Sequence, residues 1–162
     1  AWGKMPEKAA KRIRIGDHLR DRGRFNAAVE EYQLASKEMI AVDPTVSSKL
    51  AEARILDGRY NDAWQGLREP LKLYDSDPRL VIAAGKAALY LDRHKDARDL
   101  FIDVIGIHPF QPSLFRHLAE AQLQLGDKDG AKESHKAEAF LKQKDVSLLN
   151  AQRDYETRSV CP

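Results

Sequence analysis

Four segments of this chain align on one another: GDHLRDRGRFNAAVEEY from Gly16, AEARILDGRYNDAWQGL from Ala51, GKAALYLDRHKDARDLF from Gly85 and AEAQLQLGDKDGAKESH from Ala119. The steps between their starts are 35, 34 and 34 residues. Ala28, Ala63, Ala97 and Ala131 keep the same steps, and so do Tyr32, Leu67, Phe101 and His135. Three columns with one period restrict the chain to a repeat architecture. In such a chain each unit buries its apolar face against the next.

Each unit reads as helix, turn, helix. Gly23, Gly58 and Gly126 mark the end of the first helix, where glycine accommodates the left-handed backbone. Asp92 occupies that slot in unit three, which makes its turn the least ideal. Asn26, Asn61 and Asp129 are expected to cap the second helices, with Lys95 in the third unit. Asp43-Pro44 and Asp77-Pro78 read as a cap followed by proline at the first helical position. His108-Pro109 and Gln111-Pro112 mark the third junction. Gly16, Ala51, Gly85 and Ala119 let paired helices approach closely, while Ile15, Leu50, Leu118, Tyr32, Leu67 and Phe101 fill the surrounding space.

These columns resemble the tetratricopeptide repeat, on the strength of GRF–A at Gly23, Phe25 and Ala28 and of GRY–A at Gly58, Tyr60 and Ala63. The third and fourth units keep fewer marks, DRH–A and GDK–A. The resemblance implies an all-α fold: a right-handed α-solenoid of about four helix pairs plus a short C-terminal capping helix. The units span about 9–43, 44–77, 78–111 and 112–143, between an N-terminal extension at 1–8 and a capping helix with a frayed tail at 144–162. Within it, Ser147 to Tyr155 are expected to form the capping helix, with Val146, Leu149 and Tyr155 toward the last repeat, a linker toward another domain being the alternative, and Trp2 is expected to pack on the first helix pair.

Two departures from the family pattern carry structural expectations. The family closes each unit with proline about a dozen residues after the early alanine of the second helix. Pro109 lies 12 residues after Ala97, but Pro44 and Pro78 lie 16 and 15 after theirs. Longer second helices are therefore expected in units one and two, followed by shorter first helices. Pro70 falls inside the second helix of unit two and is expected to kink it at residues 66–70, because it removes the hydrogen bond to the Gly66 carbonyl.

Composition narrows the function. Hydrophobic residues at 43% and charged residues at 32% fit a soluble helical protein. A net charge of +2 is too small for a nucleic-acid binder. The densest basic stretch, Lys8 to Arg24, is interrupted by Asp17 and Asp21 and reads as a solvated helix face. Cys161 is the only cysteine, so no internal disulfide forms. No apolar run is long enough for membrane insertion. The absence of a visible targeting signal leaves cytoplasm and bacterial periplasm both open, and a start at Ala1 suits a processed protein or a piece of a longer one. The five histidines show no helical zinc spacing, and no glycine-rich phosphate loop occurs. The chain therefore reads as a non-enzyme, without metal or cofactor.

The resemblance implies that first helices line a concave groove for a protein or peptide partner. The facing positions are Ile13, Asp17 and Arg20 in unit one, then Ser48, Glu52 and Ile55. Unit three offers Arg79, Ile82, Lys86 and Leu89, and unit four Arg116, Glu120 and Leu123. Mixed apolar and charged character suits an extended peptide or a partner helix. One subfamily clamps chaperone C-terminal carboxylates. The corresponding places here are Ile13, Asp17, Lys49, Arg79 and Ala83, of which only Lys49 and Arg79 agree in character. Three readings follow: a scaffold or adaptor, an accessory module of a larger bacterial protein, and a homo-oligomerising scaffold. The second rests on a likeness of RIRIGDHLRDRGRFNAAVEEY and HPFQPSLFRHLAEAQLQLGD to repeat tails that follow peptidase-type domains in some bacteria. The first two suit a monomer, the third a weak homo-oligomer.

Overall fold

A computed structural model describes residues 5–158. The described residues form helices only: α1 (Glu7–Asp21), α2 (Phe25–Lys37), α3 (Pro44–Leu56), α4 (Tyr60–Gly66), α5 (Arg68–Leu73), α6 (Pro78–Tyr90), α7 (His94–Ile107), α8 (Pro112–Gln124) and α9 (Lys128–Arg158). Each helix packs on its neighbours in sequence, and the first helices of successive units also meet, α3 on α6 and α6 on α8. The result is an α-solenoid in which α1, α3, α6 and α8 are the first helices.

The turns within units share one geometry. Gly23, Gly58 and Gly126 take φ of 73°, 77° and 80°, and Asp92 takes 57°. In unit one the Arg24 N–H donates to the Leu19 carbonyl at 2.9 Å and the Gly23 N–H to Arg20 at 2.9 Å. The same pair of bonds recurs at Arg59 and Gly58, at Arg93 and Asp92, and at Asp127 and Gly126. This is the Schellman closure, which satisfies carbonyls that the helix end would leave open. Asp92 adopts it despite its side chain, at the cost of a left-handed backbone. Asp92→Gly is accordingly expected to stabilise the chain by about 0.5–1 kcal/mol, with the urea midpoint as the readout.

The caps differ from the sequence expectation. Asn26 and Asn61 lie inside their helices, and Arg24, Arg59 and Arg93 precede the second helices without a side-chain cap. The turn's own backbone bonds set the entry, so the side-chain oxygen one residue into the helix is past the capping position. Asn26 is used across units, accepting from the Arg59 guanidinium. In unit four it is Asp127, not Asp129, whose carboxylate accepts from the Gly130 N–H at 2.9 Å. The expectation holds at the first helices: Asp43 accepts from the Val46 N–H at 2.9 Å and Asp77 from the Arg79 N–H at 3.0 Å.

The expected length changes are absent. α2 has 13 residues and α7 has 14, while α3, α6 and α8 have 13 each. Pro44, Pro78 and Pro112 each open a first helix, so these three are the equivalent prolines and Pro109 lies in the connection before α8. The extra residues of unit one form the connection at 38–43. Ile40 there is 100% exposed, so no burial would offset the ordering of another helical turn. At Pro70 the helix does break: α4 ends at Gly66 and α5 begins at Arg68, with Leu67 between them. Pro70 itself is buried, so the break sits against the core.

In units one to three the helix pair is keyed by one small residue against one large one; in unit four the large position holds His135, whose side chain is 53% exposed. Tyr32 and Phe101 are fully buried. A Cβ on Gly16 would lie 2.6 Å from the Tyr32 ring, and one on Gly85 would lie 2.2 Å from the Phe101 ring. Where the large partner shrinks to Leu67, the small residue is Ala51, and both belong to one apolar cluster. Ile15 does not join this packing: it is exposed at 40%, on the far side of α1.

The C-terminal segment is helical but is no separate capping helix. α9 continues unbroken for 31 residues, because no glycine or proline follows Gly130 before Arg158. Val146 is exposed and does not face the last repeat. The packing expected of Trp2 lies outside the described residues, and so do the contacts expected of Leu149 and Tyr155.

Candidate partner-binding groove

Residues of the first helices converge on a cleft of about 320 Å³. Ile55 and Leu56 of α3 form one wall and Lys86, Leu89 and Tyr90 of α6 the floor. His117, Glu120 and Gln124 of α8 close the other side, with Asp92 and His94 at the turn. A second depression, of about 250 Å³, shares Ile55, Leu56 and Lys86 and extends to Arg20 and Glu52. The two together form one trough across all four units.

Of the positions expected from the sequence, Arg20, Glu52, Ile55, Lys86, Leu89 and Glu120 line this trough. Ile13 and Ser48 do not. Ile13 is 7% exposed within the first apolar cluster, and Ser48 is 4% exposed with its hydroxyl donating to the Thr45 carbonyl. Ser48 sits about one helical turn before Glu52 and Ile13 about two turns before Arg20. Ile82 packs against the apolar cluster of Phe101 and Leu118. Arg79 lies at the start of α6, tied to Asp77 at 2.7 Å and to the Thr45 hydroxyl at 2.9 Å. Arg116 is exposed on α8. Leu123 lines a different, shallow apolar depression with Ala131, His135 and Ala139.

Asp17 is committed internally. It accepts from the Tyr32 hydroxyl at 2.6 Å and from the Lys49 ammonium at 2.7 Å. Burial pushes its carboxyl upward, but these two hydrogen bonds outweigh that and hold it below the usual aspartate value. Two of the clamp positions, Asp17 and Lys49, thus neutralise one another, and Arg79 is held by Asp77.

The sequence reading missed Leu56, Tyr90 and Gln124, which share one column at steps of 34 residues. That column was the available signal: Leu56 and Tyr90 are large apolar side chains left 51% and 59% exposed. Tyr90 stacks on Tyr60 with ring centroids 4.3 Å apart, which holds it in place.

Electrostatically the trough centres on Lys86 and His117. Lys86 has no ion-pair or hydrogen-bond partner among the described residues. His117 stacks on Phe101 at 5.6 Å between centroids. Burial, with Lys86 and Arg116 adding repulsion, pushes its imidazole down to about 4. At neutral pH it is uncharged, so its 3.9 Å approach to Glu120 is no ion pair. Lys86 and Glu120 are then available to an incoming chain. No group of three or more histidine, cysteine or carboxylate side chains is placed to hold a metal among the described residues. No described helix is long and apolar enough to cross a membrane.

A stack of helix pairs with Schellman-closed turns and small-to-large keys is a fold of tetratricopeptide type, and solved structures of that type superpose on it. The thermophilic repeat protein TTC0263 of Thermus thermophilus is 21% identical, with a TM-score of 0.76, covering 83% of this chain and 75% of that one. A MamA structure from Desulfovibrio magneticus RS-1 is 18% identical, with a TM-score of 0.75 and coverage of 93% and 88%. A tetratricopeptide repeat protein from Parabacteroides merdae is 13% identical, with a TM-score of 0.69, covering 82% of this chain and 52% of its own. No protein-family model and no curated protein sequence matches the chain. Similarity at this level of identity is similarity of fold.

Proposed function

We propose that the chain is a non-catalytic protein-interaction module whose trough holds an extended peptide or a partner helix. The observation that carries this reading is the unpaired Lys86 ammonium set among exposed Leu56 and Tyr90 and the half-buried Leu89. Apolar walls supply burial, and the unpaired Lys86 ammonium, beside the carboxylates of Glu52 and Glu120, supplies register. A carboxylate-bearing residue flanked by apolar ones matches that arrangement.

Peptide selection from a random library against the intact chain, followed by calorimetry, tests it. Selected ligands are expected to carry acidic-apolar sequences, and Lys86→Glu to weaken them at least about tenfold, or about 1.4 kcal/mol. Leu89→Ala is expected to weaken them while leaving the acidic preference intact. Affinities unchanged in both variants would remove the trough as the site.

A further inference from the structure

We propose that the outward face of α1 docks on an anionic lipid bilayer, independently of the trough. The sequence shows a basic stretch broken by two aspartates; the structure pairs both with cations outside the stripe. Asp17 turns inward to Tyr32 and Lys49, and Asp21 is held by Arg20 at 2.9 Å. Arg12 is likewise spent on Glu31 at 3.2 Å. What remains outward is Lys8, Lys11 and Arg14 on α1 and Arg22 at its C-cap, all exposed and without ion-pair partners among the described residues.

At about 100° per residue these four fall within an arc of roughly 120°. They run along about 21 Å of helix at 1.5 Å per residue. Exposed Ile15 and His18 lie in the same arc, and Glu7 at the first turn is its one unengaged acid. Arg20, which lines the trough, falls roughly opposite on the same helix. Docking through the stripe therefore leaves the trough open.

The shape of the stripe selects among anionic partners. It is convex and straight, on a single helix, and offers no concavity to enclose a peptide. No phenylalanine, tyrosine or tryptophan lies in its arc to stack an unpaired base. A flat array of acidic headgroups meets all four cations at once, with Ile15 as a shallow apolar contact. Near such a surface each cation strengthens binding about fivefold, so four give several hundredfold over a neutral bilayer.

Co-sedimentation of the intact chain with vesicles tests this. One set is phosphatidylcholine alone; the other contains about 30% phosphatidylserine, at about 0.1 M salt. The chain is expected to pellet with the second set only and to be released at about 0.5 M salt. Lys8→Glu, Lys11→Glu, Arg14→Glu and Arg22→Glu together are expected to reduce the partition at least about a hundredfold. The four glutamine substitutions provide a second series that keeps helix-forming side chains, and circular dichroism verifies folding in both. Lys128→Glu with Lys132→Glu, on the opposite terminal unit, is expected to change nothing. Binding that ignores phosphatidylserine, or survives both series, overturns the proposal. Failure to pellet, with capture instead by an acidic peptide or a DNA duplex, overturns it as well.

Discussion

Gly85→Ala is expected to destabilise the chain by about 1–3 kcal/mol in its natural background and to stabilise it once Phe101 is replaced by leucine. The added Cβ would lie 2.2, 2.6 and 2.8 Å from three atoms of the Phe101 ring, and this ring has no exposed edge toward which to yield. Leucine at position 101 removes the collision and recreates the Ala51–Leu67 pairing of unit two. Alanine's better helix propensity then dominates, worth about 1 kcal/mol over glycine. Phe101→Ala alone is expected to cost about 3–5 kcal/mol, because it leaves a cavity where α6, α7 and α8 meet. Urea unfolding of the four variants gives the cycle. Equal signs for Gly85→Ala in both backgrounds would show that the ring does not dictate glycine there.

The second large effect is a loss of stability in mild acid through His117. Its folded value is about 4, against about 6.5 in the unfolded chain. Between those values the unfolded state binds the extra proton, so stability falls as pH drops through this window. The loss is expected to reach about 2–3 kcal/mol by pH 4. Lys86 and Arg116 oppose the imidazolium, Glu138 favours it, and Glu120 is 3.9 Å away. His117→Gln is expected to flatten the profile between pH 7 and pH 4, and Phe101→Ala to flatten it partly by opening the ring to water. Denaturant midpoints across that range provide the measurement. A slope unchanged in His117→Gln would assign the acid sensitivity to other groups.

These effects trace to columns that the sequence displays. The alternation of Gly16, Ala51, Gly85 and Ala119 with Tyr32, Leu67, Phe101 and His135 specifies which pair is tight before any coordinate is known. The left-handed turns were equally legible, including the substitution of Asp92. The caps were not, because a one-residue shift separates a cap from a helix interior, and the backbone turn alone sets that shift. The proline comparison failed for a related reason. Proline fixes where a helix begins, and the number of residues left in the preceding connection is free to vary.

The trough was half legible. The stripe through Glu52, Lys86 and Glu120 follows from which face of the first helix opposes its partner. Ile13 and Ser48 do not reach the trough because both are buried, Ile13 within an apolar cluster shared with α2 and α3. The roles of Asp17 and Lys49 depend on a bond between units that local sequence does not announce. The continuity of α9, by contrast, was written in its lack of breakers after Gly130.

The trough as the partner surface is tested most directly by amide chemical-shift mapping with a selected acidic-apolar peptide. Perturbations are expected on α3, α6 and α8 around Glu52, Ile55, Lys86, Leu89 and Glu120 and at His94 at the start of α7, with α2 and the rest of α7 silent. Perturbations confined to α2, α4 and α7, with the first helices unchanged, would contradict it.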